Sequence, residues 1–163
     1  MKKIKYQCNV SLDYKNSINI EPDKINSFIP KILDNLLKDA TISSTACFSG
    51  LKFKTLSFDI LFTDDDKIHQ INKEYRAKDC PTDVITFALF ADDDFKIVTD
   101  DDIYLGEIII SLDTAKRQAK NALFDEILVL ITHGILHLFG FDHQTEEDYN
   151  FVVGIQNHIM NIL

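Results

Sequence analysis

Between Phe124 and Phe139 the chain is apolar nearly all round, with Ile127, Leu128, Val129, Leu130 and Ile131 in unbroken series. A helix of that composition has no polar face to turn to water, so other elements must surround it. The chain is long enough to supply them: 163 residues, 45% hydrophobic and 26% charged, is the composition of one soluble globular domain. A chain of this size buries roughly two-thirds of its unfolded surface. It needs neither a disulfide nor a metal merely to fold, and any metal it holds serves chemistry. We expect a single domain over residues 1–163.

The covering elements follow from periodicity. Ile4 to Leu12 reads as a strand, and after Pro22 the positions Ile25, Phe28, Ile29, Ile32, Leu33, Leu36 and Leu37 fall at helical spacing. Leu51 to Phe62 alternates with period two, with a phase change near Leu56. Asp64 is placed to cap a short helix carrying Ile68, Ile71 and Tyr75. Val84 to Phe90 and Ile103 to Ile110 are apolar and β-branched enough for strands, with an acidic loop around Asp92 to Asp102 between them. Helices are expected over Asp113 to Asn121, Phe124 to Phe139 and Glu146 to Ile162. The expected fold is α+β, a mixed sheet of about four strands packed with about five helices.

The net charge of −9 at first argues against a nucleic-acid partner, since phosphate binding depends on Lys and Arg. The distribution of that charge removes the objection. Nine of the 26 carboxylates lie in the triplets Asp64 to Asp66, Asp92 to Asp94 and Asp100 to Asp102, leaving 17 against 17 basic residues elsewhere. These triplets read as solvated loops and a helix start. Cys8, Cys47 and Cys80 are an odd number without CxxC spacing and read as reduced thiols. No apolar run approaches a membrane span, and the opening residues do not build a signal-peptide core. A cytoplasmic protein, with no membrane partner, is the expectation.

The chemistry concentrates at the end of the buried helix, in HGILHLFGFDH, where His133, His137 and His143 place three of the five histidines within eleven residues. His133 and His137 are four apart and project from one helix face, the spacing that lets two imidazoles grip one ion. Gly140 can take the left-handed conformation that ends a helix and turns the chain back, bringing His143 toward the same point. Three imidazoles with an open fourth position is the layout of a catalytic zinc site. Ordinary core or surface histidines are the alternative, but two imidazoles on so apolar a helix need partners. His69 and His158 stand alone and read as structural. The spacing also matches metzincin peptidases, yet their general-base glutamate would stand where this chain has Gly134.

These residues resemble the YbeY family of bacterial endoribonucleases and ribosomal RNA maturation factors. His133, Gly134, Leu136, His137, Leu138, Gly140, Asp142 and His143 fit its HGxLHLxGxDH signature. Asn72, Tyr75, Arg76, Pro81, Thr82, Asp83, Val84 and Phe87 fit N-x-x-Y-R followed by PTDVLSF, and Leu105 to Ile108 fit LGDI. The chain departs in Ala88 where proline is common, Glu107 for the usual Asp and Phe141 where Tyr is frequent.

The resemblance implies a metal-dependent hydrolase, a single-strand-specific endoribonuclease. Its work would be 16S rRNA 3′ end maturation, ribosome biogenesis and ribosome quality control. One Zn2+ per chain, or another divalent metal, would sit on His133, His137 and His143. Partners would be single-stranded RNA, the 16S rRNA precursor, the small ribosomal subunit and its assembly factors, with no DNA expected. Catalytic roles fall to His133 and Arg76. The chain has only two arginines, and a guanidinium suits bidentate phosphate contact. Arg76 lies beside Lys73 and Lys78, whereas Arg117 with Lys116 and Lys120 reads as a solvated face. The nucleophile stays open between water and the ribose hydroxyl. Asp142 is open between orienting an imidazole and capping a turn, and Asp83 has the same ambiguity. One rival is a non-catalytic, zinc-stabilised ribosome assembly factor, in which Cys8, Cys47 or Cys80 would complete a closed site. A metzincin-like peptidase, disfavoured by Gly134, is the other.

Overall fold

The alternation and helical periods resolve into a four-stranded mixed sheet and, among the described residues, seven helices. The computed structural model describes residues 3–94, 96, 98 and 101–163. In chain order the elements are β1 (Lys5–Asp13), α1 (Pro22–Lys38), α2 (Ala40–Thr45), β2 (Thr55–Thr63), α3 (Asp65–Arg76), β3 (Val84–Phe87), α4 (Leu89–Asp92), β4 (Asp102–Ser111), α5 (Leu112–Gln118), α6 (Leu123–Leu138) and α7 (Glu146–Ile162). The sheet order is β1-β2-β4-β3. β1 and β4 run parallel to β2, and β3 runs antiparallel to β4 at the edge.

α6 is the buried helix that its composition demands, and it packs on β3, β4, α5 and α7. Ile127, Leu128, Leu130, Ile131, Ile135, Leu136 and Leu138 all lie in the core. That core fills one face of the sheet, together with α1 and β2 side chains. On the other face a smaller cluster of Ile68, Ile85 and Ile109 seats α3. Among the described residues no single helix is long and apolar enough to cross a membrane.

Several expected boundaries move. The second strand starts at Thr55 rather than Leu51, because residues 46–51 are held in turns: Ser49 and Leu51 donate to the carbonyls of Ala46 and Phe48, and Cys47 N–H to that of Phe139. Phe48 sits edge-on to both Phe53 and Phe139, with centroids 5.5 and 4.9 Å away. Burying these rings outweighs extending the strand. The third strand stops at Phe87, and Leu89 to Asp92 form a helical turn in place of strand. α2 is a further addition to the expected elements; Asp39 ends α1 and caps α2, its carboxylate accepting from the N–H groups of Thr41 and Ile42.

Asp64 caps α3 through Lys67 N–H at 2.9 Å, as expected. Its neighbour Asp65 is not merely solvated: it accepts hydrogen bonds from Ser111, Thr114 and Arg117 and ties α3 to α5. Asp101 pairs with Lys54, and Asp100 lies outside the described residues, as does part of the acidic loop.

Candidate metal centre

α6 ends as its glycine predicts. Gly140 has φ +94°, in the left-handed region; its N–H reaches the carbonyl of His137 and the N–H of Phe141 reaches that of Leu136, at 2.9 and 3.0 Å. This crossed pair of bonds closes the helix and reverses the chain. The reversal carries His143 over the last turn of α6. His143 lies with its ring centroid 5.4 Å from that of His133 and 5.0 Å from that of His137.

One ligand atom from each of His133, His137 and His143 lies within 4.8 Å of the others. The Nε2 atoms of His133 and His137 are 3.0 Å apart, close to the spacing of about 3.3 Å that tetrahedral zinc with bonds of about 2.0–2.1 Å would set. Burial is the largest influence on both helical rings and favours their neutral forms; the neighbouring imidazoles add to it, and His137 is pulled down to about 4. Neutral imidazoles are what a cation requires. None of the three cysteines belongs to this cluster. The donor set therefore fits a nitrogen-liganded divalent ion with part of its shell open.

The cluster forms one wall of a cleft of about 520 Å³. Arg76, Asp83, Thr86 and Asp142 are among the residues that complete it. Arg76 projects from the end of α3 and donates to the Thr86 carbonyl on the free edge of β3 at 3.4 Å. Its charge is felt at His137, whose protonated form it disfavours. Lys73 turns instead toward Asp79, 3.4 Å away, which also holds His69 at 2.7 Å. Arg117 is bound by Asp65 at 2.7 Å and lies outside the cleft-lining set.

The two open aspartates separate clearly. Asp142 accepts from the backbone N–H of His143 and from the Gln144 side chain, both at 2.7 Å, so it shapes the turn. These bonds hold its carboxyl below the usual range. Asp83 accepts from Val84 N–H at 2.7 Å and from Gln118 at 2.9 Å; it caps the strand entry and also faces the cleft. The structure adds a residue that sequence reasoning misses: Gln156 of α7, whose Oε1 lies 3.3 Å from His133 Nδ1. Its only signal in the sequence is a polar side chain on the stripe between the buried Val152 and Ile159.

Fold and site together define an α+β protein with a cleft whose three histidines could hold a metal ion. Residues 11–163 match the family model described as Endoribonuclease YbeY. Among curated relatives named Endoribonuclease YbeY, that of Sulfurihydrogenibium sp. (strain YO3AOP1) is 39% identical over 153 residues, 91% of this chain and 93% of its own. That of Fusobacterium nucleatum subsp. nucleatum is 40% identical over 136 residues, 81% and 83% of the two chains. That of Bacillus pumilus (strain SAFR-032) is 46% identical over 109 residues, 63% and 69%. The solution structure of TM1509 from Thermotoga maritima shares the fold with TM-score 0.54 at 21% identity, covering 95% of this chain and 87% of that one. The chain belongs to the YbeY endoribonuclease family.

Proposed function

We propose that this protein is a metal-dependent endoribonuclease that cuts single-stranded RNA in ribosomal RNA processing. The observation that carries the reading is the convergence of three imidazoles and one guanidinium on a single open cleft. His133, His137 and His143 would hold the ion, with zinc best suited to an all-nitrogen donor set. Such an ion, when bound, supplies Lewis acidity both to a phosphoryl oxygen and to water. Arg76 binds the scissile phosphate and offsets the negative charge that builds on it. Gln156 fixes the tautomer of His133, and Asp142 sets the turn that presents His143.

A flexible single strand can splay its backbone into a cleft of this kind, whereas stacking in a duplex holds each phosphate away. Membership of the family supports the 16S rRNA precursor as substrate, the small ribosomal subunit as partner and a cytoplasmic setting. The assembly-factor alternative needs a fourth protein ligand, and no cysteine joins the cluster. The peptidase alternative needs a carboxylate beside His133, where Gly134 is packed against β4.

The test is a matched oligoribonucleotide, single-stranded or annealed, incubated with wild-type and His133→Ala protein prepared identically. Cleavage of the single strand by wild type alone is the expected result. Equal traces from both proteins would hand the case to a non-catalytic docking factor.

A further inference from the structure

On the opposite face of the sheet, beyond the end of α3, a second cleft of about 380 Å³ opens between α3, β3 and β4. Tyr75, Phe87, Leu89, Tyr104 and Glu107 line it. Its aromatic wall is bare: Tyr75 is 63% exposed and Tyr104 43%. Tyr75 is nonetheless fixed in orientation, standing edge-on to Phe87 with centroids 5.3 Å apart. An exposed ring is a stacking platform for a base.

The floor of this cleft is built by a bulge. Ser57 pairs with Tyr104 and Asp59 with Glu107, so two residues of β4, Leu105 and Gly106, stand opposite Phe58 alone. Tyr104 and Glu107 are three apart and would face opposite sides of a regular strand; the extra residue puts both on the cleft side. Gly106 is required there, with φ +138° and a Cβ position only 1.9 Å from the Phe87 carbonyl oxygen. Tyr104 donates to Asp59 at 2.8 Å. Among the described residues nothing hydrogen-bonds the Glu107 carboxylate, which therefore faces the cleft as a free acceptor. Burial and the Asp59 charge push it above its usual range.

A carboxylate in an aromatic-walled cleft, with the Asp59 charge near it, repels a phosphate but accepts N–H groups. The cleft also adjoins the metal centre. Tyr75 and Arg76 are successive residues about 3.8 Å apart at Cα, and Phe87 on this side follows Thr86 on the other. One helix end therefore presents an aromatic ring to this cleft and a guanidinium to the other.

We propose that this second cleft is a guanine subsite, in which a base of the single-stranded substrate stacks on Tyr75 and donates its N1–H and N2–H groups to the Glu107 carboxylate. Guanine alone offers two adjacent donors on its Watson–Crick edge. Adenine and cytosine set an acceptor beside their amino group, and uracil flanks one N–H with two carbonyls, so each turns a lone pair toward the carboxylate. The subsite rests on the ribonuclease reading for its biological use.

The test therefore separates the two, using nucleotides that have no internucleotide bond to cut. Wild-type protein is titrated with guanosine, adenosine, cytidine, uridine and inosine 5′-monophosphates while the ring resonances of Tyr75 are followed. The guanosine nucleotide should bind about tenfold more tightly than the adenosine, cytidine and uridine ones, with inosine, which lacks the 2-amino group, between them. Tyr75→Ala should weaken it about tenfold and Tyr75→Phe should not. Glu107→Gln, of the same shape, should bring guanosine level with adenosine. Equal binding of all the nucleotides, or a guanine preference that survives Glu107→Gln, overturns the subsite and leaves the cleft to a protein partner's apolar side chains. Guanine selectivity without RNA cleavage would retain the subsite and remove the nuclease reading; RNA cleavage without it would do the reverse.

Discussion

His133 Nδ1 and Gln156 Oε1 meet at 3.3 Å across the contact between α6 and α7. With Nδ1–H donating to that oxygen, the lone pair of His133 is left on Nε2, the atom 3.0 Å from His137 Nε2. Outer partners of this kind typically change metal affinity 10–100-fold. Gln156→Leu is expected to weaken zinc binding by about that factor in chelator competition, and Gln156→Glu, which keeps an acceptor, to preserve it. Unchanged affinity in the leucine variant would leave Gln156 a packing residue.

Arg76 reaches the cleft from the end of α3, its guanidinium donating to the Thr86 carbonyl of β3. Arg76→Lys keeps the charge but loses the planar fork that fits a phosphate. Single-turnover cleavage should fall about 100-fold, with metal content and melting temperature unchanged. An unaltered rate would place the guanidinium outside the reaction.

What is legible in the sequence is local. The all-apolar run makes α6 a core helix, and the spacing of His133, His137, Gly140 and His143 is read within one helix end and its reversal. The start of β2 is not legible, because it is decided by Phe48 packing on Phe139, ninety-one residues away. Nor is the end of β3 at Phe87, which faces the bulge at Gly106 on the neighbouring strand. Lys73 looks like a companion for Arg76 by proximity in the chain, yet Asp79 draws it aside. Gln156 needs the α6–α7 contact, which no period reports.

The depressed ring of His137 gives the metal-free protein a pH signature. Its folded value is about 4, against about 6.5 in an unfolded chain. Between those values the unfolded state binds the proton first, so stability is full above about pH 6.5 and declines as pH falls toward 4. His133 is shifted the same way. After discounting the solvent-facing part of the ring, the loss from His137 is on the order of 2 kcal/mol. Urea midpoints of chelator-treated protein at pH 7.5 and 4.5 should show it, and His137→Asn should flatten the difference. An equal decline in both proteins would assign the pH dependence to other groups.

The height of α6 above the sheet is set next to His133. A Cβ on Gly134 would lie 2.8 Å from both Cδ1 and Cγ2 of Ile108, and Ile108 is fully buried in β4 with little room to yield. Replacing a helical glycine by alanine gains at most about 1 kcal/mol of helix propensity, while overpacking a dense core costs about 1–3 kcal/mol. Gly134→Ala should therefore destabilise the protein by about 1 kcal/mol and weaken zinc binding, because lifting α6 moves His133 and His137 relative to His143. Ile108→Val removes one of the two closest atoms, so in a double-mutant cycle the pair should be less damaging than the sum of its parts by about 0.5 kcal/mol or more. Additive effects within about 0.3 kcal/mol would show that this contact does not fix the height of the helix.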